Sequence, residues 1–136
     1  MQDQLKNIAV WLHLLCMVGA FGALLYHQLF LGTSHKADPL LGRTVNKAAS
    51  ILIAVGFLAG LLAFILKIKV AASSGIAIES SAHMKVGIKF LILLASGACL
   101  GISSGMIRKG RYDSAAAQRI LVLVLLATAA LIGVWI

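Results

Sequence analysis

Three side chains able to bind a metal, His13, Cys16 and Met17, fall within about one helical turn of each other. They sit in a 24-residue stretch, 8–31, that reads IAVWLHLLCMVGAFGALLYHQLFL and holds no Asp, Glu, Lys or Arg. An imidazole can serve as an axial ligand to haem iron. Imidazole, thiolate and thioether together suit Cu(I). A second group, His83, Lys85 and Lys89, opens the third apolar stretch, and Met84 adds another thioether. An ionisable side chain at membrane depth is costly, which makes His13 and Lys89 functional-site hypotheses by default.

His27 follows His13 by 14 residues, almost four helical turns or about 21 Å of rise. Bundles holding two haems use such spacing, but they need matching histidines on a second helix. The third stretch offers only His83, so at most one bis-histidine haem b can be built, from His13 and His83. Lys85 or Lys89 would be an alternative ligand or the partner of an acidic cofactor group. His27 then reads as an interfacial histidine and His35 as a solvated loop residue. Copper is the weaker metal reading, because no CxxC or MxxxM pattern accompanies Cys16 and Met17 and both types are common packing residues in apolar helices. The only acids are Asp3, Asp38, Glu79 and Asp113, all outside the apolar stretches. Neither a nucleophile motif nor a phosphate loop is present. Any catalysis would need a bound redox cofactor.

The elements that must position these groups are membrane helices. The chain has 136 residues, 61% hydrophobic and 12% charged, with a mean hydropathy of +1.02. Soluble domains carry about twice that share of charge. A span needs about 20 apolar residues, and four such stretches are read as helices at roughly 8–31, 48–66, 83–107 and 116–136. Continuous apolar runs exclude the alternation of a membrane barrel. The expected fold is an all-α integral membrane protein: one domain, 1–136, forming an antiparallel four-transmembrane-helix bundle with short loops. Residues 32–47, which include Pro39, read as a polar loop, and Ser80-Ser81 offers an N-cap for the third helix. Antiparallel crossing brings His13, His83, Lys85 and Lys89 to one side, where Trp11 and Trp135 mark the interface. Lys85, Lys89, Ser96 and Ser103 recur near one face of the third helix, which should turn toward the bundle interior.

Small residues recur four apart: Gly56 and Gly60 in the second helix, and Gly97, Gly101 and Gly105 in the third. Such spacing predicts close helix approach. Cys16 and Cys99 are expected to be free thiols. The net charge of +8 lies between apolar runs and not on a basic face interleaved with aromatics, which excludes nucleic acid as a partner. Basic residues flanking spans fit contact with a lipid bilayer, and their count places Lys36, Arg43, Lys47, Arg108, Lys109, Arg111 and Arg119 on the cytoplasmic side with both termini outside.

The pattern WLHLL followed by FGALLYHQLFL, with AHMKVGIK opening the third helix, resembles a superfamily of small membrane proteins. It includes the HemJ-type protoporphyrinogen oxidases and the CopD-type copper-resistance proteins. The resemblance implies that the helix-one histidine, His13, and the helix-three lysine, Lys85, matter for haem b. The chain departs from the HemJ-type pattern at His27-Gln28-Leu29, where that family has Leu-Pro-Arg, and at Ala20, where it has tryptophan. It also has no later histidine in the third helix. What carries over is the fold and haem binding, not the oxidase reaction. The expected function is electron transfer in a membrane redox system, of the bacterial inner membrane, through one b-type haem. The alternative is a cofactor-free accessory subunit of a larger membrane complex or homo-oligomer. Copper transport or sequestration ranks third.

Overall fold

A computed structural model describes residues 1–30 and 39–134. It contains four α-helices, α1 (Gln2–Phe30), α2 (Pro39–Ser73), α3 (Ser80–Arg108) and α4 (Tyr112–Val134), and no strand among the described residues. His35, Lys36 and Trp135 lie outside them. Each helix is long and apolar enough to cross a membrane. Large apolar side chains such as Trp11, Leu15, Val18, Leu58 and Leu94 point outward, as lipid-facing residues do. The chain is an integral membrane protein in a bilayer environment.

The helices outrun their apolar stretches. α2 begins at Pro39, nine residues ahead of the expected start at 48, and ends seven beyond 66. Proline suits the first helical position, where its missing N–H has no intrahelical partner to lose. The stretch read as loop is helical because its buried face continues the pattern of the rest: Gly42, Asn46, Ala49, Ile53 and Gly56 recur at steps of three and four. α4 likewise begins at Tyr112 and buries Ala115, Arg119, Val122 and Leu126 at the same steps. Hydropathy missed both starts because the buried residues there are small or polar. α3 starts at Ser80, with Glu79 at the N-cap position making no side-chain cap bond. Ser81 donates instead to the Glu79 carboxylate at 3.1 Å.

Two helix ends share one device. The N–H of Ile76 reaches the carbonyl of Ala71 at 2.9 Å and that of Gly75 reaches Ala72 at 3.2 Å. At the end of α3, Arg111 reaches Met106 at 2.9 Å and Gly110 reaches Ile107 at 3.1 Å. This pairing needs a left-handed residue just past the helix, which glycine supplies without a Cβ clash. Gly75 and Gly110 have φ of 68° and 74°.

Adjacent helices run in opposite directions. Along α1·α2, Gly19 faces Leu52, Cys16 faces Gly56 and His13 faces Gly60. Along α2·α3, Asn46 meets Ser103, Phe57 meets Phe90 with ring centroids 5.0 Å apart and Phe64 meets His83. α3 packs on α4 and α4 on α1, closing the ring. Ala20, Leu24, Ala49, Ile53, Leu93, Leu100, Val122 and Leu126 form its core. Cys16 and Cys99 are free thiols.

The glycine patterns divide. A Cβ at Gly56 or Gly60 would collide with α1, but one at Gly97, Gly101 or Gly105 would meet nothing within 4 Å. The α3 glycines therefore do not make the close packing within the bundle that their spacing suggests. Gly97→Ala and Gly105→Ala should leave the unfolding midpoint in detergent unchanged or raise it, since alanine favours a helix interior by up to about 1 kcal/mol. A clear fall in either midpoint would place a packed neighbour on that face.

Candidate functional site

Two polar constellations interrupt the apolar interior, at opposite ends of the bundle. The first is His13. Its Nδ1 lies 2.6 Å from the carbonyl oxygen of Gly56. A carbonyl only accepts, so Nδ1 carries the proton, and in the neutral ring Nε2 is left with a lone pair. The ring lies against Gly60, where a Cβ would stand 2.7 Å from Nδ1 and 3.0 Å from Cε1. Gly56 is pressed by the next turn of α1, with a Cβ there only 2.9 Å from both Cys16 Cβ and Met17 Cε. The glycine pair of α2 is thus the floor on which an oriented imidazole sits. A backbone carbonyl bonded to one ring nitrogen is how proteins orient a metal-ligating histidine and raise its basicity.

His83 stands on the other flank of α2. Its ring is exposed and meets Phe64 edge-on at 5.4 Å between centroids. Phe64 is one turn beyond Gly60, so both imidazoles rest on α2 at neighbouring levels. Lys85, with Lys6 and Lys67, lines a cavity of about 450 Å³ at this end of the bundle. Lys89 is part-buried one turn deeper. Among the described residues no three His, Cys, Asp or Glu side chains converge.

The second constellation joins all four helices. Arg119 of α4 is fully buried. Its Nε donates to Asn46 Oδ1 at 2.6 Å, and one terminal nitrogen donates to the carbonyl of Gly42 at 2.6 Å. The other terminal nitrogen bonds Nδ1 of His27. A guanidinium has no acceptor, so His27 Nδ1 must be unprotonated and this histidine is neutral. The Asn46 amide is oriented by the same logic: with Oδ1 toward arginine, Nδ2 donates to Ser103 Oγ at 3.1 Å and Ser104 Oγ at 3.2 Å. Ser103 Oγ in turn donates to the carbonyl of Ala115 at 3.0 Å. His27, Asn46 and Ser103 are as deeply buried as Arg119. Every one of these bonds crosses between helices, and no described carboxylate takes part.

Two readings change here. His27 does not face headgroups or solvent, because the guanidinium of α4 holds it inside the bundle. Arg119 is not a flanking loop residue and drops out of the charge count used for orientation. Asn46 was missed altogether, since it lay in the supposed loop. Its signal was the periodicity: 46 and 119 fall in phase with the buried apolar positions of α2 and α4.

No known protein-family model, curated protein or solved structure matches this chain.

Proposed function

We propose that the protein holds one b-type haem through His13 and serves electron transfer in a membrane redox system. The observation that carries this reading is the bond from His13 Nδ1 to the Gly56 carbonyl. It leaves a neutral imidazole with Nε2 available as a ligand, in a place shaped by two glycines. The donor chemistry would suit haem iron: His13 would hold it, with His83, on the other flank of α2, as the candidate second donor. Lys85 and Lys89, at the same end, would pair with the acidic groups of the cofactor. Bound haem would supply one-electron chemistry that this acid-poor chain lacks. The basic residues around the α3–α4 turn, even without Arg119, favour a cytoplasmic position for that end. Both termini would then lie outside the inner membrane of a bacterium.

The reduced-minus-oxidised absorption spectrum of the purified protein tests this. A Soret band and a sharp α-band are expected, lost in His13→Ala and shifted in His83→Ala. A folded sample with no bands after incubation with haem, or an unchanged spectrum in His13→Ala, refutes it. Copper analysis of the same anaerobic preparation would reveal the metal of the weaker reading.

A second reading, a cofactor-free subunit of a larger membrane complex, is favoured by the outward glycines of α3, since small residues four apart suit a packing face. Stoichiometric co-purification of a partner from mild detergent, without a haem spectrum, would establish it.

A further inference from the structure

At the Arg119 end, the bundle carries a cleft that the haem reading does not use. It lies between the first half of α2 and the last turns of α3, with a volume of about 460 Å³. Arg43, Lys47 and Arg108 line it, together with Ser104, Gly101 and Leu40. Among the described residues none of the three cations has a carboxylate within ion-pair distance. Lys47 and Arg108 are exposed and Arg43 is part-buried, so the charges surround the opening. Farther along, α3 contributes Leu100 and the uncovered backbone of Gly101, while α2 adds the small side chain of Ser50. One more turn toward the bilayer centre, the space above Gly97 is open as well.

We infer that this cleft binds an anionic phospholipid, its phosphate held by Arg43, Lys47 and Arg108 and one acyl chain lying over Gly101. Charge complementarity selects the occupant: an opening lined by three cations, with no acid among its lining residues, attracts a phosphate. Its continuation past Leu100 and Gly101 beside the bilayer core suits a molecule whose phosphate carries a long hydrocarbon chain. Basic pockets between membrane helices bind lipid headgroups on these terms. The cleft also touches the buried layer. Ser104 lines it and accepts a hydrogen bond from Asn46, which is itself bonded to Arg119. A bound headgroup would therefore stabilise the four-helix junction from outside. This inference is independent of the haem site.

The test is native mass spectrometry of the full-length protein extracted from vesicles of equal parts phosphatidylcholine and phosphatidylglycerol. The wild-type chain should retain one phosphatidylglycerol in preference to phosphatidylcholine. Arg43→Gln, Lys47→Gln and Arg108→Gln should each lower that retention by about fivefold, the worth of one basic residue near an anionic lipid surface. Lys109→Gln and Arg111→Gln, outside the cleft, should leave it unchanged. Gly101→Leu should reduce retention with every cation in place, because the side chain fills the acyl track. Equal retention of the two lipids by the wild type overturns the proposal, and so does equal loss on substituting the cleft and the control residues. Full retention in Gly101→Leu with displacement by inorganic phosphate would make the cleft a free-anion site instead. Capture of another protein by a Gly101→Cys cross-link would place a partner helix where the lipid belongs. Circular dichroism confirms the fold of each variant, and where one fails to fold the other cleft variants still carry the comparison with Lys109→Gln and Arg111→Gln.

Discussion

Arg119→Met should be among the most destabilising single substitutions in this protein, lowering stability by about 2–5 kcal/mol. That range follows from three interhelical hydrogen bonds at the strengths measured for membrane proteins. Two effects oppose each other. Removing the guanidinium relieves the cost of burying a charge, but it leaves Asn46 Oδ1, His27 Nδ1 and the Gly42 carbonyl without the donor they share. In the dissociated state an arginine one to two turns from a helix end can extend to the headgroups, whereas the orphaned acceptors stay inside the folded bundle. The loss should therefore win. The triple variant Arg119→Met, His27→Leu, Asn46→Leu separates the two effects, because a fully apolar layer leaves no orphaned side-chain group. Replacing a whole buried polar cluster by apolar residues is often neutral, and the triple variant should recover most of the lost stability. Reversible unfolding in mixed micelles is the measurement. A neutral Arg119→Met would mean that the layer does not hold the helices together.

The other large effect is expected at the α1·α2 seam. Gly56→Ala should cost about 1–3 kcal/mol, the usual range for overpacking. The new methyl would stand 2.9 Å from Cys16 Cβ, an atom that moves only if α1 moves. Gly60→Ala acts differently, since its methyl meets the His13 ring, which can rotate. That rotation should break the bond to the Gly56 carbonyl and release the proton preference at Nδ1. Nitrogen NMR of histidine-labelled protein reads this directly: the wild type should show Nδ1 protonated in the neutral ring, and Gly60→Ala a mixture of tautomers. An unchanged His13 signal in Gly60→Ala would mean that the ring is not held by α2. On the haem reading, Gly60→Ala also weakens the absorption bands while Gly97→Ala does not.

The four spans and their order were legible because hydrophobic length is a strong signal, and it survives without any knowledge of packing. His13 was legible as an anomaly for the same reason. Its partners were not, since a backbone carbonyl leaves no mark in a sequence and Gly60 looks like any small residue. The Arg119 layer was hidden for a different reason. Asn46 and Arg119 stand where charge and polarity usually mean water, and only their phase with Ala49, Ile53, Val122 and Leu126 shows that they turn inward. Spacing alone could not tell the two glycine patterns apart. Gly56-Gly60 faces a helix and Gly97-Gly101-Gly105 does not, a difference that depends on the rotation of each helix about its own axis.

The length of α2 has a consequence for depth. Its 35 residues measure about 52 Å, and even tilted by about 40° they would exceed a hydrocarbon core of about 30 Å. The charge-free part, 48–66, bounded by Lys47 and Lys67, is about 28 Å long and matches that core. The bilayer therefore grips α2 between these two lysines, and the remainder stands as posts in the headgroup regions. Asn46 lies one residue outside the grip, which puts the Arg119 layer at the edge of the hydrocarbon and not at its centre. A guanidinium there is far cheaper to insert than one at mid-depth. Membrane thickness becomes a control on this junction: a thicker bilayer would draw it into hydrocarbon, and a thinner one would expose it to water.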